Sequence, residues 1–82
     1  MAILKIKAAS NEIQLLELIK DTLRVFRESR GSNGEALFIM NMIISLRIAN
    51  TEASREEEKA NINLAIEVFR QYKAKVRERP PI

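Results

Sequence analysis

The chain contains no cysteine and no histidine. The first absence excludes disulfide staples and thiolate metal sites. The second excludes imidazole ligands, Cys–His and Ser–His nucleophile systems, and a histidine pH switch. A cysteine-free chain fits a reducing compartment. Glycine and proline are scarce, two of each, and they punctuate the chain at Gly31, Gly34, Pro80 and Pro81. Long apolar runs are missing too. The longest, over 36–46, is interrupted by Asn41 and Ser45 and falls well short of the roughly 20 residues that span a bilayer. The first ten residues carry Lys5 and Lys7 among apolar side chains, without the apolar run of about seven or more that a signal peptide needs. A soluble, cytoplasmic protein without membrane insertion is expected.

What is present is ordinary globular material. Of 82 residues, 46% are hydrophobic and 30% charged, which argues against disorder and for a single small domain over 1–82. A chain this short buries only about 60–65% of the surface its unfolded form exposes, so its core must be efficient or shared with a partner. Fourteen Lys and Arg against eleven Asp and Glu leave a formal charge of +3. The sequence pI near 9.6 is compatible with a polyanion partner without requiring one.

Residues 3–7, Ile-Leu-Lys-Ile-Lys, alternate apolar and basic side chains over the length of one short strand. The segment 1–9 is therefore expected to be an extended arm. Ser10 is placed to cap a first helix over 11–30, in which Leu16, Ile19, Leu23 and Phe26 recur at helical spacing beside a second set, Leu15, Leu18 and Val25. Gly31 suits its C-terminus. Ser32 and Glu35 fit a capping box for a second helix over 34–49, apolar nearly all round, with Asn41 and Ser45 its one polar strip. Asn50 and Thr51 are expected to break that helix. Ser54 and Glu57 form a second capping box for a third helix over 54–78, and 79–82 form a tail. The fold expected is all-α: three antiparallel helices with an N-terminal arm.

The apolar faces are wider than three helices can cover. Helix one is apolar over about half its circumference, beyond the usual core stripe. Self-association as a helical homodimer is the expected remedy, through Leu37, Met40, Ile44, Leu64 and Val68. Phe26, Phe38, Phe69 and Tyr72 are spaced as core anchors.

Short connections make helices one and three point the same way. Their C-terminal ends then gather Arg27, Arg30, Arg70, Lys73, Arg77 and Arg79 at one pole, beside the start of helix two. Such a pole could hold phosphate, a nucleic-acid backbone or an acidic protein surface. It is also what dipole complementarity alone produces, since acidic residues, Glu56, Glu57 and Glu58 among them, begin helix three and basic ones end it. The turn over 30–35, Arg-Gly-Ser-Asn-Gly-Glu, has neither the spacing nor the Lys-Ser/Thr of a phosphate loop. Carboxylates without histidine do not make the di-iron signature of helical bundles, and no metal or cofactor is expected.

A basic N-terminal strand followed by two helices, over 3–49, resembles the ribbon-helix-helix DNA-binding class. That resemblance implies Lys5 and Lys7 as groove-facing residues; the long first helix and the third helix depart from the class. In size and helical character the chain is also similar to small bacteriocin immunity proteins, without a shared motif. The function expected is non-enzymatic: a small interaction or regulatory protein, with a protein partner favoured over nucleic acid.

Overall fold

The computed structural model describes residues 2–31 and 34–78. They form four helices and no strand: α1 Ala2–Lys7, α2 Glu12–Arg30, α3 Glu35–Glu52 and α4 Glu56–Glu78. The tail over 79–82 lies outside the described residues.

The extended arm is the first correction. A lone strand leaves its amides and carbonyls unpaired, whereas a short helix pairs some of them internally and leaves its end carbonyls for other groups to satisfy. Ile3 and Ile6, three apart, also share a face on a helix. Ile6 is fully buried, and Ile3 packs against the same core. The ribbon-helix-helix order is lost with the strand, and Lys7 meets Glu58 at 4.0 Å. α1 is held by Asn61 of α4, whose side-chain amide donates to the carbonyls of Lys7 (3.1 Å) and Ala9 (3.0 Å).

The cap of α2 falls one residue later than expected. Asn11 Oδ1 accepts from the Gln14 N–H at 2.8 Å, and Gln14 Oε1 accepts from the Ser10 N–H at 2.6 Å. Asn11 caps the Gln14 N–H at the N-cap-to-N3 spacing, and the Gln14 side chain reaches back one residue further, to Ser10. At the other end Gly31, at φ 70°, donates its N–H to the Arg27 carbonyl at 2.8 Å. Gly34 leads into α3 at φ 76° with no side-chain cap. Ser32 lies outside the described residues, and Glu35, its expected capping partner, turns into the protein instead. α3 runs three residues past the expected end, and in its last turn Thr51 Oγ1 donates back to the Arg47 carbonyl at 3.0 Å. α4 starts at Glu56 rather than 54.

The core is one cluster. α2 contributes Leu15, Ile19 and Leu23, a single i, i+4, i+8 row; α3 contributes Ile39, Ile43 and Leu46; α4 contributes Ile62, Ala65, Ile66 and Phe69. α4 is the central element, packing most extensively on α3 and also on α1 and α2. Asn50 of α3 donates to Asn63 of α4 at 2.9 Å, while Ile43 shares a groove with Arg70, so the two helices run antiparallel. Of the expected aromatic anchors only Phe69 is fully buried; Phe26, Phe38 and Tyr72 are half-buried. Phe26 and Phe38 stack at 4.4 Å between ring centroids and pin the end of α2 to the start of α3.

Candidate interaction surface

α3 is apolar on both sides. Its inner row, Glu35, Ile39, Ile43 and Leu46, is buried. A second row at three- and four-residue spacing, Leu37, Met40, Ile44 and Ile48, lies on the outer side. These are 61%, 37%, 50% and 56% exposed. Together they make a ridge running most of the helix length. Asn41 and Thr51 are exposed beside it, and Ser45 is half-buried. The polar strip expected from Asn41 and Ser45 is thus only the flank of a solvent-facing row that is itself apolar. Four large apolar side chains in a row differ from scattered surface leucines, which need no explanation.

A depression runs along each side of the ridge. On one side Met40, Ile43, Ile44, Arg47, Arg70 and Lys73 line a groove of about 250 Å³ between α3 and α4. On the other, Leu37, Asn41, Phe26, Phe38, Gly34 and Arg30 line one of about 180 Å³. It continues into a larger, mostly apolar hollow of about 390 Å³ formed with Thr22, Val25 and Ser29. Arg30 lies over the Phe26 ring at 5.9 Å and presents its charge at that edge.

Of the six basic residues singled out from the sequence, the four with described side chains take different positions. Arg27 is engaged: its guanidinium donates to Glu35 Oε1 from Nε at 2.8 Å and from NH2 at 2.6 Å. Glu35 is 1% exposed, so this pair is a structural tie between α2 and α3. Arg30 stands on one side of the α3 ridge, and Arg70 and Lys73 stand on the other. Arg79 lies outside the described residues, as does the side chain of Arg77. Arg47 joins Arg70 and Lys73 although sequence reasoning did not select it. The signal was available: it is the one charged residue between the first and last turns of α3.

Of the residues expected to mediate self-association, Leu37, Met40 and Ile44 are on the outer ridge. Leu64 and Val68 are not with them. They are half-buried against the core, on the α4 face that also carries Asn61 and therefore α1. Ile48, unselected, completes the ridge.

Among the described residues no helix is long and apolar enough to cross a membrane, and no three acidic side chains gather where they could hold a metal ion. The chain matches no family of known proteins, no curated protein and no solved structure.

Proposed function

We propose that this chain is a non-enzymatic interaction module that works by burying the outer face of α3 against another macromolecule. The observation behind this reading is the unbroken row of Leu37, Met40, Ile44 and Ile48 on a helix whose opposite side is already committed to the core. Leaving such a row in water has a continuing hydrophobic cost that a partner removes. A second copy of the chain is one such partner, in keeping with the homodimer expected from the sequence. An acidic or apolar protein surface is another.

Nucleic-acid binding is the second reading, and Arg47, Arg70 and Lys73 lining one groove favour it. The two part by ionic strength, because phosphate contacts weaken steeply with salt while an apolar interface does not.

The experiment is light scattering and partner capture with Ile44→Asp beside the parent protein. The substitution puts a carboxylate in the middle of the outer row, where water still reaches it. Loss of association with retained folding supports the reading. Unchanged association of every kind overturns it.

A further inference from the structure

Resting on the reading of α3 as the working face, we infer that its occupant is an amphipathic helix of another protein carrying acidic residues on both flanks of its apolar stripe. Two observations lead there. The first is charge. Arg30 borders the ridge on one side and Arg47, Arg70 and Lys73 border it on the other. None of the four is in an ion pair among the described residues. The exposed positions of α3 hold a single carboxylate, Glu52 in its last turn. A ridge of apolar side chains with cations along both edges complements a helix with apolar residues in the middle and carboxylates at each edge.

The second observation is shape. The ridge has a groove on either side, and the hollow lined by Val25, Phe26 and Phe38 offers an apolar recess at one end. Helix pairing of this type uses apolar residues at i, i+3 or i+4 and i+7, and Leu37, Met40 and Ile44 fall at i, i+3 and i+7.

The same features disfavour a second copy. If two α3 ridges paired antiparallel about a twofold axis, the α4-side grooves would face one another and set Arg47, Arg70 and Lys73 against their own copies. If they paired parallel, the Arg30 edge of one would face the Arg70 and Lys73 edge of the other. Both arrangements bring cation to cation. Nucleic acid fits less well, since a phosphate backbone would leave the apolar ridge between the cations exposed.

The test uses two synthetic probes of about 18 residues, a length near that of α3. Both carry leucine at alternating three- and four-residue spacing; one has glutamate at the remaining positions and the other lysine. Binding is read by fluorescence anisotropy at about 0.05 and 0.3 M salt. The acidic probe is expected to bind at least about tenfold more tightly than the basic one and to weaken with salt. Arg47→Glu with Arg70→Glu should reverse the preference without altering thermal unfolding, because both side chains are exposed. Ile44→Asp should abolish binding of the acidic probe.

Equal affinity for the two probes, or no binding of the acidic one at millimolar concentration, overturns the inference. If light scattering then shows a dimer that Ile44→Asp dissociates, the face belongs to a second copy, and the reading of α3 stands while this inference falls. Tight salt-sensitive binding of a DNA duplex, lost in the double arginine variant, gives the face to nucleic acid with the same consequence. Indifference of every one of these measurements to Ile44→Asp overturns the inference and the proposed function together.

Discussion

Arg27 shows how a residue's type and position in the sequence leave its role open. An arginine in the last turns of a helix reads as an exposed cation opposing the helix dipole. Here it reaches the next helix and neutralises Glu35, which the capping-box spacing had assigned to Ser32. Local spacing cannot reveal a contact that forms only once the turn folds α3 back onto α2. Arg27→Glu is therefore expected to destabilise the protein rather than leave its fold untouched, because it sets two carboxylates together where one is buried. A loss of about 2–3 kcal/mol is expected, below the 3–5 kcal/mol typical of fully buried pairs since Arg27 keeps solvent contact. Urea unfolding checks it. The same change at Arg30, which makes no ion pair among the described residues but lies over the Phe26 ring at the end of α2, should cost about 1 kcal/mol. Legibility was better where a residue's own backbone decides the matter: Gly31 ends α2 at a positive φ as its lack of a Cβ allows.

At the scale of the element, α2 and α4 were readable because their apolar stripes repeat at helical spacing and their ends carry the usual signals. Each boundary moved by no more than a few residues. α1 was not readable as a helix. Five residues of alternating apolar and basic character satisfy the strand pattern and also place Ile3 and Ile6 on one helical face, and periodicity over so short a run does not separate the two. What decides is tertiary: Asn61, more than fifty residues away in sequence, accommodates the carbonyls of Lys7 and Ala9. Asn61→Ala should accordingly weaken α1 selectively, by about 1–2 kcal/mol for two hydrogen bonds. Amide hydrogen exchange should show protection lost in α1 and kept in α3. Ile6→Ala removes a fully buried side chain of α1 and should lower global stability by about 2 kcal/mol or more through the cavity it leaves, measured by thermal unfolding. An α1 that frays with no global effect would mean the first helix is an ornament to the core.

On the scale of the whole molecule, the described residues form a body of 44 × 19 × 18 Å, built on α4, which packs most extensively on α3 and also on α1 and α2. The sequence showed that α3 was too apolar to be an outer helix, and from this the expectation of a shared core arose. It could not show which residues would remain outside. Successive residues on a helix diverge by about 100°, so Ile43 and Ile44 look alike in the chain and differ in the fold. Ile43 is 7% exposed and lies in the core, while Ile44 opens to solvent. The candidate site was accordingly half legible. Leu37, Met40 and Ile44 were found from the width of the apolar face. Leu64 and Val68 belong instead to the packing of α4, and the cations that flank the ridge come from three helices whose arrangement the sequence left open.

The most direct test of this account is the thermal unfolding of Ile44→Asp compared with Ile43→Asp. Ile43→Asp buries an unpaired carboxylate at several kcal/mol, a large part of the 5–15 kcal/mol that typically holds a small domain together, and should leave little folded protein. Ile44→Asp should unfold cooperatively within a few degrees of the parent, since its side chain stays in water. Comparable collapse of both variants would mean that the outer face of α3 is buried in the protein as it exists in solution, and would contradict the claim that it is the open working surface.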